Sequence, residues 1–458
     1  MKIGIDARFW GHAGPGRYVK NLVLALEDID EDNDYVVFLN SEGVDDFSVI
    51  PALPRCAVDW IRNLSFKSIS GKILNRVQDD KTPQADSDGA AFSQLSFRKK
   101  FVNIPWYSFV EQIKLPFVFG KEKLDLLHVP HFNIPVFYPG KIAVTIHDLT
   151  IHRFSTARAT TRWRPFNLLK RLIYKFVFWL AVKRAAVIFV PTEFVKEDLL
   201  EEYSWLDSEK IIVTYEGVGE NFKLQTANNK FRNKKNGVLT SKYGVSKPYL
   251  LYVGSMYPHK NIPRLVKAFG ILAEEEEDLS LVLVGKLDYF QRRLREEINF
   301  SHSGLDPESL DESGVQDDGS ASVGFPSLGG IRERVVFPAF AVEDGYVPDE
   351  DLIAFYQNAL AFVFPSLSEG FGLPPLEAMQ FDVPVVAAEK TCIPEVCGNA
   401  AVYFDPCDEE DIVRKIKSVV NNSTLREELV ENGNMNLQRF SWEKTARKTL
   451  AGYLETGN

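Results

Sequence analysis

Two glutamates, Glu369 and Glu377, with seven residues between them, bracket the run GFGLPPL. Ahead of them, LAFVFPS reads as a buried strand. After the turn, LPPLEAMQF reads as a helix whose prolines fall in the first turn, where a missing N–H costs nothing. The free amides around Phe371, Gly372 and Leu373 then point into a cleft. Glu369 stands in the turn beside them, and Glu377 lies roughly 5 Å further along the helix axis, one turn of rise. Carboxylates flanking a bare helix N-terminus accept hydrogen bonds from several hydroxyls, while the amides hold an anion. A ligand with sugar hydroxyls on both sides of a diphosphate fits that chemistry. A capping carboxylate plus a solvated helix charge is the plain structural alternative.

Other chemistry-bearing residues stand at the ends of apolar runs, and ligands of open α/β sheets bind beyond the carboxyl ends of strands. His147 and Asp148 follow such a run in VTIHDLT. In YLLYVGSMYPHKNIPRL, Gly254 ends a strand, and His259 and Lys260 stand just ahead of a helix, where Lys260 suits a phosphate. In RFWGHAGPGRY, Gly14 and Gly16 let backbone approach a ligand closely, ahead of the helix YVKNLVLALEDI. Taken singly, each also reads as an ordinary turn, a satisfied histidine or a solvated lysine.

These positions need a scaffold. The runs KIGIDA, YVVFLN, LDLLHVP, KIAVTIHD, AAVIFVPT and KIIVTY, then YLLYVGS, LSLVLVGK, RVVFPAF, LAFVFPS and VPVVAAE, alternate with helical patterns. Such β-branched runs predict buried parallel strands in two α/β domains. The rhythm breaks over 222–246, a polar stretch read as a linker between domains at 1–221 and 247–439, with a helix in 440–458 crossing back. Residues 66–100 and 302–330 are poor in apolar side chains and read as surface loops.

Composition narrows the function classes. A chain of 458 residues, 45% apolar, has room for about two or three domains. A net charge of -10 argues against a nucleic-acid partner. The four cysteines, Cys56, Cys392, Cys397 and Cys407, match no metal spacing and read as thiols in a reducing cytosol. The acidic strings DIDEDND and PDEDL fall at helix ends, so no metal site is expected. The N-terminus starts directly on a strand, without a leader pattern, and no run of about 18 apolar residues occurs. One stretch reverses the overall charge: residues 158–186 hold eight cations and no acidic residue, interleaved with aromatics, which suits an anionic bilayer surface.

As an ordered set, IGIDAR…GPGRYVKNL, EQIKLP, LLHVPHF, TIHDLT, VPTEFVKEDL, VTYEGV, YVGSMYPHKNI, GYVPDEDLIAFYQNA, FPSLSEGFGLPPLEAM and FSWEKTA resemble the retaining glycosyltransferases of family 4 over nearly the whole chain. The resemblance implies the GT-B fold, two Rossmann-like domains facing across a cleft. It implies a metal-independent transfer of a hexose from a nucleotide diphosphate sugar to a saccharide or lipid-linked saccharide acceptor, with no separate cofactor. The pattern is most similar to bacterial mannosyltransferases of polysaccharide assembly, which makes GDP-mannose the favoured donor.

Roles follow from the same likeness. Glu377 would hold the ribose hydroxyls, and Glu369 the hydroxyls of the transferred sugar with the amides of Phe371, Gly372 and Leu373. Lys260 would bind the diphosphate near Gly14 and Gly16. His147 would contact the sugar beside the reacting carbon, and Val347 would line the base pocket. Ser255 stands where many members carry an arginine, with His259 a partial substitute, and Asp382 stands where a glycine commonly ends the helix. A non-catalytic sugar-nucleotide binding subunit and another enzyme of this fold, such as an epimerase, are the rival readings. Binding without turnover would mark the first, and donor consumption without an acceptor product the second.

Overall fold

The computed structural model describes residues 1–10, 14–40, 95–153, 164–219, 236–245, 248–300, 331, 333–342 and 345–457. The chain divides into two compact units, Met1–Glu216 with Trp442–Asn458, and Gly217–Ser441.

The first unit is built on a parallel sheet of seven strands: β1 (Lys2–Asp6), β2 (Asp34–Leu39), β3 (Arg98–Phe101), β4 (Leu126–Val129), β5 (Ile142–Thr145), β6 (Ala185–Val190) and β7 (Ile211–Val213). Their order is β3-β2-β1-β4-β5-β6-β7. The central strands are apolar along their length because helices cover both faces of the sheet. Helix α1 (Pro15–Ile29) lies on one face, burying Tyr18, Leu22 and Leu26 among Ile3, Ile5 and Val37. On the other face, α2 (Phe109–Gly120), α3 (Arg164–Arg184) and α4 (Glu193–Glu202) pack over Phe38, Val129, Val144 and Ile188 through Leu115, Phe119, Phe178, Ala181 and Leu199. A buried charge cluster fixes α2. The Arg8 guanidinium donates to Asp6 at 2.8 and 2.9 Å and to Glu111 at 2.7 Å, and Asn133 donates to Glu111 at 3.0 Å.

The second unit carries a parallel sheet of six strands: β8 (Tyr249–Val253), β9 (Ser280–Val284), β10 (Val335–Val336), β11 (Ala361–Phe364), β12 (Val385–Ala388) and β13 (Ala401–Phe404). Their order is β10-β9-β8-β11-β12-β13. Around it lie α5 (Asn236–Tyr243), α6 (Ile262–Glu275), α7 (Asp349–Asn358) and α8 (Leu373–Gln380). The helix α9 (Trp442–Glu455) completes the first unit instead, burying Trp442, Ala446 and Tyr453 against the face that α1 covers. Gly452 permits that seat, because a Cβ there would stand 2.7 Å from Ile212 and 2.8 Å from Phe189.

Several elements differ from the sequence reading. Strand β3 falls at the end of the segment read as loop 66–100: Leu95 is buried and Phe97 stacks on Tyr35 with centroids 4.4 Å apart. Its sequence RKKF carries no apolar run because it is an edge strand, whose cations Arg98 and Lys100 pair with Glu122. β13, at the opposite edge of the second sheet, is equally short and was not anticipated. The described end of the expected linker is α5, which docks on α7 through Lys242 and Tyr243, both bonded to Asp351. Residues 66–94 and 302–330 lie outside the described residues.

A buried polar chain ties four elements together. His128 on β4 meets Tyr453 Oη of α9 at 2.6 Å and Thr145 Oγ1 of β5 at 2.8 Å, and Thr145 meets Tyr18 Oη of α1 at 3.2 Å. Burial, with a smaller contribution from His147, pushes the His128 pKa down to about 3. A histidine neutral in the fold and ordinary when unfolded stabilises fully above about pH 6.5. Below that the unfolded chain takes up the extra proton, so stability falls with pH toward about 3, by up to about 1.4 kcal/mol per pH unit. His128→Gln should flatten the fall of urea-unfolding stability between those limits by about one proton. An unchanged slope would show that this histidine is not the linked group.

Candidate functional site

In the second sheet β8 and β11 are neighbours, although β9 and β10 lie between them in sequence. That is the point where strand order reverses, and loops leaving two such strands part to make a ligand crevice. From β8 the chain passes Gly254 and Ser255 to a single 3-10 turn, Pro258–Lys260, and Asn261 (φ 60°) turns it into α6. From β11 it runs through Ser366 and Ser368 to Glu369. The two loops are tied twice: Leu367 N donates to His259 O at 2.7 Å, and Lys260 Nζ donates to Glu369 Oε1 at 2.6 Å. The side chains of Lys260 and Glu369 are 17% and 12% exposed, so the pair is shielded but reachable.

The turn after Glu369 is held from β12. Glu369 N donates to Thr391 Oγ1 at 3.3 Å, and the Cys392 thiol donates to the carbonyls of Glu369 and Phe371 at 3.3 and 3.4 Å. Burial raises the Cys392 pKa well above the ordinary thiol range, which keeps it a donor. Gly372 then adopts φ 87°, a left-handed conformation that suits glycine, and starts α8. Pro374 and Pro375 follow in the first turn, and no side chain caps it. Glu369 therefore pairs with Lys260 and does not cap the helix. Of the first three residues of α8 only Leu373 keeps an N–H, since Pro374 and Pro375 have none; that amide has no intrahelical acceptor, and a helix N-terminus favours an anion.

Glu377 is not a solvated helix charge. It is 1% exposed and accepts a 2.9 Å hydrogen bond from Tyr356 Oη, reaching across from α7. Asp382, which ends α8, has φ 57° and accepts from Asn434 at 3.2 Å, so an aspartate fills the left-handed place. Ser255 brings no second cation, and its carbonyl accepts from Tyr252 Oη at 2.7 Å. The His259 ring lies parallel to Tyr257 with centroids 6.0 Å apart. Val347, expected to line a pocket, is buried just ahead of α7, whereas its neighbour Tyr346 is half exposed.

In the first unit the corresponding reversal lies between β1 and β4. Gly14 (φ 70°) immediately precedes α1, but Gly16 does not belong to the loop. The helix starts at Pro15, whose fixed φ suits its first position, so Gly16 is a buried helical residue. His147 follows β5, and its Nε2 is 3.1 Å from Pro130 O, an atom that only accepts, so Nε2 carries a proton. Its Nδ1 faces Glu216 Oε1 at 3.5 Å, and Tyr18 meets the ring edge-on at 4.8 Å. Asp148 bonds Thr150 N at 2.7 Å and shapes the turn that follows.

Sequence reasoning missed Glu216, Tyr356 and Thr391. Glu216 had a signal, an acidic residue straight after the β7 run KIIVTY; the other two had none. Among the described residues no group of three or more His, Cys, Asp or Glu is arranged to hold a metal ion. No helix among them is long and apolar enough to cross a membrane.

Residues 344–435 match the family model "Glycosyl transferases group 1". The stretch spans α7, β11, Glu369, α8 and Glu377. The serotype-specific mannosyltransferase WbdA of Escherichia coli is 29% identical over 59% of this chain, and the chain spans only 29% of that protein's length. O-antigen chain mannosyltransferase B of E. coli is 27% identical over 82% of this chain and 87% of its own. Among solved structures, WaaG, a glycosyltransferase of lipopolysaccharide biosynthesis, superposes with a TM-score of 0.63 at 14% identity, covering both chains fully. HepE of Anabaena, solved with UDP and glucose, gives 0.59 at 14% identity over 99% of both chains. These likenesses place the fold in the GT-B class, and the resemblance to mannosyltransferases of this group holds at the level of sequence.

Proposed function

From a second unit that carries a group 1 glycosyltransferase domain, we propose that the chain transfers a hexose from a nucleotide diphosphate sugar to an acceptor hydroxyl, with retention. The observation that carries the reading is the Lys260–Glu369 pair beside the uncapped N-terminus of α8, at the reversal point of the second sheet. A cation and helix amides suit a diphosphate, and a carboxylate suits sugar hydroxyls. Mannose from GDP-mannose is the favoured donor, supported by the O-antigen mannosyltransferase that aligns over most of its length. The acceptor would be a growing saccharide, free or lipid-linked.

Chemically, the bond between the anomeric carbon and the diphosphate oxygen breaks while the acceptor oxygen attacks from the same face. The acceptor's proton passes to the departing phosphate oxygen. No carboxylate is needed as a nucleophile. Negative charge builds on the leaving diphosphate, where Lys260 Nζ and the α8 amides stabilise it, each such donor contributing about 3 kcal/mol. Glu369 orients the sugar hydroxyls, and Glu377 holds the ribose hydroxyls. Ribose contacts change little during reaction, so Glu377 acts through donor affinity. Lys260 and the helix dipole fill the place a divalent cation takes elsewhere, so the reaction needs no metal.

The test is nucleoside diphosphate release from a panel of GDP-, UDP- and dTDP-sugars, with and without oligosaccharide acceptor, in excess chelator. Release from GDP-mannose that rises with acceptor is expected. Binding without release from any donor would make the chain a binding subunit. Loss of activity in chelator with recovery on manganese would overturn the metal-free reading.

A further inference from the structure

Helix α2 is apolar on two opposite faces. Leu115 and Phe119 point into the core, while Ile113 and Phe117, set two residues back and thus on the far side, face solvent. A helix apolar all round is normally buried by a partner or a membrane. Its neighbour α3 repeats the pattern: Phe178 and Ala181 are buried, and Leu172, Ile173 and Phe176 face out. The segment between them joins the two. Gln112 of α2 donates to Ile134 O and accepts from Val136 N, while Arg184 of α3 donates to Val136 O at 2.8 Å, and Phe132 packs on Tyr174 and Phe178. Phe137 projects outward from that segment. Ile113, Phe117, Phe137, Leu172, Ile173 and Phe176 are between 44% and 69% exposed, all but Phe137 on helices that pack against one face of one sheet. Scattered exposed apolar residues are ordinary, but six on three segments bonded to one another mark an interaction surface.

Charge decides the partner. Lys114, Arg171 and Lys175 stand exposed among these side chains. The only acidic residue in α2 is Glu111, buried against Arg8, and α3 has none. Lys175 also borders a pocket lined by Asp198, Glu201 and Glu202, so Lys114 and Arg171 are the cleaner probes. A chain of net charge -10 thus shows cations among its outward apolar residues. A second copy meeting this face about a twofold axis would set the same cations against each other. We propose that the outer faces of α2 and α3, with Phe137, form a docking surface for an anionic lipid bilayer, apolar side chains entering the acyl boundary and cations meeting headgroups. This goes beyond the transferase reading and does not depend on it.

The test is sedimentation of the full chain with phosphatidylcholine vesicles, with and without phosphatidylglycerol. Binding is expected only with the anionic lipid, and weaker at high salt because headgroup attraction is screened. Lys114→Glu and Arg171→Glu should each weaken it at least about fivefold, the equivalent of about 1 kcal/mol for one cation at the surface. Phe117→Ser with Phe176→Ser should abolish it, while thermal melting and nucleoside diphosphate release in solution stay as in the parent chain, since both side chains are exposed. Equal binding to neutral vesicles, no binding to either, or variants that sediment like the parent would each overturn the proposal. So would an oligomer that the double serine variant dissolves while the parent ignores vesicles, which would assign the face to a protein contact.

Discussion

Lys260→Ala is expected to lower the turnover of nucleoside diphosphate release by at least about a hundredfold, the usual scale for one lost contact to developing charge. The side chain lies on a loop beyond β8, outside the core, so the circular dichroism spectrum should match that of the parent chain. Two effects add in the variant. The departing diphosphate loses its cation, and Glu369 Oε1, now without its partner at 2.6 Å, stands as an uncompensated negative charge beside the α8 amides. Lys260→Arg keeps the charge but replaces a compact ammonium by a planar fork, so it should recover only part of the rate. Turnover within threefold of the parent in the alanine variant would remove Lys260 from the reaction.

Glu369→Gln should cost about as much in turnover but act differently on binding. The carboxylate pairs with Lys260, and the neutral amide releases it, so affinity for the nucleoside diphosphate product should hold or rise while turnover falls about a hundredfold. That split between binding and rate separates a sugar-orienting carboxylate from a merely structural partner of the lysine, whose removal would weaken both. Because the groups touch, Lys260→Ala combined with Glu369→Gln should lose much less than the product of the single losses. Strict additivity would mean the two act independently, against the geometry of the pair.

Much of this was legible from residues alone. The runs read as strands in both units appear as strands because a parallel strand covered on both faces must be apolar throughout, and that leaves a local mark. Two edge strands passed unread, RKKF at 98–101, which carries no apolar run, and the short AVYF at 401–404, whereas the edge strands β7 and β10 lie within apolar runs and were read. The prolines after Gly372 announced the start of α8, because a proline's fixed φ and missing N–H are properties of the single residue. At Gly16 the same kind of cue was misread: the helix begins at Pro15, three residues ahead of the expected start at Tyr18.

The sequence by itself determined where the candidate groups stand, each at the carboxyl end of a strand or the first turn of a helix, since local periodicity and turn chemistry decide that. It could not determine which of them meet. Lys260 and Glu369 are 109 residues apart, and they pair because the second sheet seats β8 beside β11 with β9 and β10 displaced to its edge. Glu377 is buried because Tyr356 reaches it from α7, and His147 is steadied by Glu216 because both stand at strand ends of the first sheet. Likewise Ile113 and Phe117 look like core residues until α2 settles with Leu115 and Phe119 inward, held by the Arg8–Glu111 pair. Strand order and the rotation of a helix about its axis depend on contacts between distant segments, and only the folded chain contains those.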